Sequence, residues 1–119
     1  MDLNRFTQRS QQALQEAQIL AMKMGHSSID GEHLLLALLQ QEGGLLPSLL
    51  DKMEVDRSKL IGELESYLEA LPKNGGSGYS EENVHGTNRL IRLLAESRDI
   101  AGSMKDAFVS VEHIVLSFI

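Results

Sequence analysis

The stretch Glu32-His33-Leu34-Leu35-Leu36-Ala37-Leu38-Leu39 returns 80 positions later as Glu112-His113-Ile114-Val115-Leu116-Ser117-Phe118-Ile119. Without a gap, the same shift aligns Thr7 with Thr87, Arg9 with Arg89, Leu14 with Leu94, Glu16 with Glu96, Ala21 with Ala101 and Met24 with Met104. That makes nine identities over 33 positions. Helical amphipathicity makes apolar positions coincide, but it does not make a threonine, an arginine and a Glu-His pair coincide as well. The chain therefore reads as a tandem duplication: two helical hairpins related by a pseudo-twofold axis, with an all-α fold class.

Working outward, Phe6, Ser10, Ala13, Leu14, Ala17, Leu20, Ala21 and Met24 recur in steps of three and four, which predicts a helix over about residues 4–24. Gly25 supplies its stop, and Asp30 is placed to cap a short buried helix carrying the apolar run 34–39. Gly43-Gly44 breaks that helix, and Pro47 suits the first turn of a third, running to about Met53. Asp56 or Ser58 starts a fourth, with Leu60, Ile61, Leu64 and Leu68 on one side and Glu63, Glu65 and Glu69 toward water, ended by Pro72. The glycines of Pro72-Lys73-Asn74-Gly75-Gly76-Ser77-Gly78 predict a flexible connector. One domain, 1–119, thus divides into a first repeat at about 4–71, a connector at 72–80 and a second repeat at about 81–119. Nothing in the second copy matches the third and fourth helices. It reads as truncated, with Phe118 and Ile119 expected to lack apolar partners.

A chain of 119 residues is one domain's worth of polymer. Eleven Lys and Arg against 17 Asp and Glu give a net charge of −6, a balance that repels phosphate backbones and anionic lipid, so neither nucleic acid nor membrane is an expected partner. Arg89, Arg92, Arg98 and Lys105 give the fifth helix some positive character, but Glu96 and Asp99 interrupt it and it reads as a solvated face. The absence of cysteine removes disulfides and thiolate chemistry together and is compatible with a reducing, cytoplasmic setting. The run 34–39 is far shorter than the roughly 18 residues a membrane span needs, and the opening residues have no signal-peptide hydrophobic region.

Glu32-His33 and Glu112-His113 invite a metal or acid–base reading. Adjacent helical residues point about 100° apart, however, and the zinc spacing H-E-x-x-H is absent, so no metal is expected and both histidines are assigned to a packing boundary. His26 and His85 read as loop residues. The glycine-rich connector has neither the Lys-Ser/Thr of a phosphate loop nor a preceding strand. No nucleophile is accompanied by a base and an orienting group, so no catalytic residue is assigned and the chain is not expected to be an enzyme. The duplication itself points to function. A seam between two hairpins, lined by Leu, Ile, Phe and Met with charged rims, could hold extended apolar peptide; the alternative is that the seam is simply the core.

The opening Leu3-Asn4-Arg5-Phe6-Thr7, then Ala13-Leu14, Glu16-Ala17, His26, Ile29 and the run from Glu32 to Leu39 resemble the first repeat of the amino-terminal domain of the Clp unfoldases. Phe108-Val109-Ser110 and Glu112-His113 resemble the second. The resemblance spans the whole chain, and Leu71-Pro72 with its glycine-rich connector is more similar to the ClpB disaggregase branch than to ClpC.

The resemblance implies a substrate-engaging module tethered to two ATPase modules of a homohexameric ring. That ring threads unfolded or aggregated polypeptide with the DnaK chaperone system, as part of a cytoplasmic stress response. No cofactor is implied for this domain; ATP and Mg belong to the absent modules. Substrate contacts carry over to Thr7, Asp106 and Glu112, and an apolar groove to Leu94, Ile100 and Phe108, with His113 at a position that is often aliphatic. A ClpC-like role, docking adaptors or recognising phosphorylated arginine, is implied as the alternative by Thr7 with Glu32 and Thr87 with Glu112. There a carboxylate can pair with guanidinium while N–H and hydroxyl groups hold phosphate.

Overall fold

Thr7 stands extended before the first helix, its hydroxyl accepting the Ser10 N–H. This cap sets the start of α1, Gln8–Lys23, four residues later than the apolar periodicity predicts. The residues ahead of it do something else: Leu3–Arg5 form a short 3-10 helix, and Phe6 pairs with Val109. Gly25, with φ of +76°, turns the chain out of α1. Asp30 caps α2, Gly31–Leu39, by accepting the Gly31 N–H at 2.7 Å. Gly44 precedes α3, Leu45–Lys52, with Pro47 in its first turn, and Asp56 caps α4, Arg57–Glu69, through the Lys59 N–H. In the second repeat Thr87 caps α5, Asn88–Ser103, as Thr7 caps α1, and Ser110 precedes α6, Val111–Phe118. This computed structural model describes residues 3–73 and 85–119. The glycine-rich residues 74–80 and the start assigned to the second repeat, 81–84, lie outside them.

Helix α2 is the hub. Leu34, Leu36, Leu38 and Leu39 are buried, with α1, α3, α4 and α5 laid around it. The buried face of α1 is small, Ser10, Ala13, Ala17 and Ala21, which lets α2 approach closely. Its counterpart on α5 is Leu90, Leu94, Ser97 and Ala101. α6 lies against α5 as α2 lies against α1, and the halves meet where α1 touches α6 and α2 touches α5. Phe6, Leu34, Leu90, Val109 and Ile114 fill that junction in one continuous core. The seam proposed as a peptide channel is therefore closed, and the concavities open to solvent lie at its rims.

The periodicity contains no hint of one feature. Ser28–Ile29 (β1) runs parallel to His85–Gly86 (β2), with Ile29 opposite Gly86, and Phe6 forms an isolated parallel bridge to Val109. Subtracting and adding the 80-residue shift turns one contact into the other. The Thr7 N–H donates to the Val109 carbonyl at 3.0 Å, and the Thr87 N–H to the Ile29 carbonyl at 2.9 Å. Each segment before a long helix pairs with the loop of the opposite hairpin, so backbone groups buried at the junction find partners across it. Two-residue pairings leave the fold all-α. Phe118, expected to lack apolar partners, is instead half-buried, its ring edge 3.5 Å from where a Cβ on Gly31 would stand, while Ile119 is 97% exposed.

Candidate functional site

The loop between α5 and α6, residues 104–110, is held against the amino-terminal segment by the Phe6–Val109 bridge, and clefts open on both sides of it. On one side Thr7, Gln8 and Arg9 at the start of α1, residues 41 and 43–45, and Ser110, Val111 and Glu112 at the start of α6 line a cleft of about 360 Å³. The starts of three helices, α1, α3 and α6, line this space. Arg9 is tethered beside it, its Nη2 donating to the Glu42 carbonyl at 2.9 Å, while Gln41 donates to the Arg9 carbonyl. Glu112 is exposed and makes no ion pair with another described residue. On the other side Arg5, Arg98, Asp99, Asp106 and Val109 help to line a more polar cleft of about 560 Å³.

Phe108, 53% exposed, stands on the loop whose residues Asp106, Ala107 and Val109 line one cleft and Ser110 the other. Met104, also exposed, is the C-cap of α5, one turn beyond half-buried Ile100, so an apolar strip leads along the end of that helix toward the loop. Thr7, Asp106, Phe108 and Glu112 are thus gathered around one loop, with Ile100 beside it. Leu94 and His113 are not available there. Leu94 is 6% exposed and His113 3%, because the helix faces that carry them turn into the chain's own core. His113 still reaches the site indirectly, its Nε2 lying 2.8 Å from Asp106 Oδ2. Sequence reasoning missed Met104, Arg5, Arg9 and Ser110. The signal for Met104 was its i+4 spacing from Ile100, and for Arg9 its alignment with Arg89.

The pseudo-twofold axis supplies a twin of the first cleft. Asp30, Gly31, Glu32, Leu35, Arg89 and Phe118 line a smaller one, about 230 Å³, in which Arg89 reaches across to Asp30 Oδ2 at 3.3 Å and Glu32 Oε2 at 3.6 Å. Thr87 donates to Asp30 Oδ1 at 2.9 Å. The threonines and glutamates accordingly pair across the repeats: Thr7 shares a cleft with Glu112, and Thr87 stands beside the Asp30–Glu32 turn. The pairing of Thr7 with Glu32 and Thr87 with Glu112 is corrected, because each helix start faces the opposite hairpin's loop.

His33 and His113 occupy equivalent buried posts at the starts of α2 and α6. The Asp30 N–H donates to His33 Nδ1 at 2.9 Å and the Ser110 N–H to His113 Nδ1 at 2.8 Å, so each ring fastens its own helix cap. They belong to the core rather than its boundary, and His26, assigned to a loop, is likewise buried. His85 lies in β2 and is exposed. Burial, and next the neighbouring His26, hold the pKa of His33 below the usual histidine value, against the opposing pull of Asp30 and Glu32.

Residues 5–119 match the family model described as "Clp repeat (R) N-terminal domain". The chain is 43% identical over 114 residues to the chaperone protein ClpB of Nitratidesulfovibrio vulgaris, covering 96% of this chain and 13% of that one. It is 38% identical over 118 residues to ClpB of Bacillus cereus, covering 99% and 14%. The chain therefore spans only a small part of the length of these relatives. Among solved structures, the Hsp104 N-terminal domain from Candida albicans superimposes with a TM-score of 0.82 at 19% identity, covering 94% of this chain and 71% of that one. The N-terminal domain (1–163) of the ClpV1 ATPase from E. coli does so with 0.85 at 24% identity, covering 97% and 68%.

Proposed function

The chain belongs to the Clp repeat N-terminal domain family, and we propose that it is the polypeptide-engaging, non-catalytic module of a ClpB-type disaggregase. One observation carries this reading: an apolar strip of half-buried Ile100 and exposed Met104 and Phe108 ends in a loop whose flanks carry the carboxylates of Asp106 and Glu112 and a cleft with Thr7. An exposed phenylalanine on a loop pinned at Val109 is a preformed anchor for an apolar side chain of an unfolded segment. The clefts beside it offer hydrogen-bonding groups to that segment's backbone. In the whole protein the reading puts this domain on a homohexameric ATPase ring, which supplies ATP, Mg and threading, acts on aggregated polypeptide with DnaK and serves the cytoplasmic stress response. Fluorescence anisotropy with a labelled, permanently unfolded protein tests it. Phe108→Ala is expected to weaken binding by about tenfold, the effect of losing an interface anchor. Binding unchanged in both Phe108→Ala and Met104→Ala would overturn the reading.

The twin clefts favour a second reading, recognition of phosphorylated arginine in the manner of ClpC. Each combines a helix start, which suits phosphate, with a glutamate, which suits guanidinium. Calorimetry with free phosphoarginine separates the two. Heat beyond that seen with arginine, lost in Glu112→Gln, supports the second reading, and equal heats remove it.

A further inference from the structure

The two repeats end the same hydrogen-bond relay on different groups. In the first, the Asp30 N–H fixes His33 Nδ1 as an acceptor, so the ring's proton resides on Nε2 and is donated to His26 Nδ1 at 2.9 Å. In the second, the Ser110 N–H fixes His113 Nδ1 in the same way, and His113 Nε2 donates to Asp106 Oδ2 at 2.8 Å. The 80-residue shift superimposes His33 on His113, Asp30 on Ser110 and His26 on Asp106. One relay therefore joins two imidazoles, both buried, and the other joins an imidazole to a half-exposed carboxylate.

We propose that the His26–His33 pair is an acid-released latch on the first repeat, which the His113–Asp106 pair of the second repeat is built to withstand. A proton arriving at His33 Nδ1 sets a donor against the Asp30 N–H. A proton arriving at His26 Nδ1 sets a donor against His33 Nε2–H, and swapping the His33 tautomer only moves the clash back to Asp30. Either way a buried hydrogen bond is lost and charge is placed where His26 and His33 face each other. In the second repeat the Ser110 hydroxyl, 3.0 Å from His113 Nδ1, can turn to accept, and Asp106 receives the charged ring.

The other groups around the latch do not rescue it. From α2, the Asp30 carboxylate is engaged by the Gly31 N–H, Thr87 and Arg89, and Glu32 by Arg89. From the end of α4, Lys73 packs near Gly25 and pairs with Glu69. From the second repeat, Arg89 brings positive charge and His85 stands in β2 beside Ser28. Asp30 also receives Thr87 and Arg89, so release at His33 loosens the junction with the second repeat on this side.

The depressed pKa of His33 fixes the sign. The unfolded chain binds the proton first, so stability is complete above the ordinary histidine value near 6.5 and falls as pH drops through it. One histidine kept neutral raises the unfolding equilibrium constant about tenfold between pH 7.5 and 5.5.

Urea unfolding of the chain at both pH values, with His26→Asp and the double variant Asp106→His with Ser110→Ala beside the wild type, tests the latch. His26→Asp gives the His33 ring the carboxylate partner that Asp106 gives His113 and is expected to remove about tenfold of the acid effect; the double variant takes both the carboxylate and the hydroxyl acceptor from buried His113 and is expected to increase it by a similar factor. Should His26→Asp fail to fold, the double variant decides alone. An acid effect in the double variant equal to the wild type's would overturn the proposal. So would ring ¹⁵N shifts showing His33 protonated in the folded wild-type chain at pH 5.5.

Discussion

Ser10 ties the first turn of α1 to the far end of the chain. Its hydroxyl is buried and donates to the Val109 carbonyl at 3.0 Å, while Thr7 Oγ1 accepts the Ser10 N–H and donates to Ser10 Oγ. The Val109 carbonyl keeps the Thr7 N–H when Ser10 is truncated, so Ser10→Ala is expected to cost about 1 kcal/mol rather than the larger penalty of an orphaned acceptor. Thr7→Ala removes the cap and is expected to cost about 1 kcal/mol, and Thr7→Ser to stay within about 0.5 kcal/mol of wild type. Urea midpoints check all three. The serine variant keeps the fold while changing the cleft, which separates the capping role of Thr7 from its place beside Glu112. Although the apolar periodicity, beginning at Phe6, places the start of the first helix ahead of its cap at Thr7, the amphipathic run itself was legible in the sequence. The Ser10–Val109 bond was not, since it joins residues 99 positions apart.

Among the elements, the two long helices end in the same left-handed turn on different residues. Gly25 has φ of +76°, and Lys105, its equivalent, has φ of +61°. A side chain in that region costs about 1 kcal/mol relative to glycine. Lys105→Gly is therefore expected to raise the unfolding free energy by about 0.5–1 kcal/mol, and Gly25→Ala to lower it by about 1 kcal/mol. Thermal and urea melts of the pair give opposite shifts if the turn conformation is the cause. Helix existence, the α2 run and the stop at Gly25 were readable because each rests on local chemistry. The β1–β2 pairing and the Phe6–Val109 bridge were not, because two-residue strands have no period and exist only once the halves have met.

At the scale of the whole molecule, duplication supplied the architecture and the positions of the clefts, since each cleft is a helix start of one hairpin facing a loop of the other. It did not say which apolar faces meet the chain itself. Leu94 and Phe108 look equally apolar in the sequence, yet one is in the core and the other stands in solvent, because Leu94 lies on the inner face of α5 while Phe108 lies in the loop beyond that helix. The acid response belongs to this scale too, as the difference between two relays that a single helix would not reveal.

The most direct test of the account is a ¹H–¹⁵N NMR titration of the chain with an unfolded, aggregation-prone polypeptide. The account predicts shifts concentrated at Thr7, Met104, Asp106, Phe108 and Glu112. No shifts at high concentration, or shifts confined to the outer faces of α3 and α4, would contradict it.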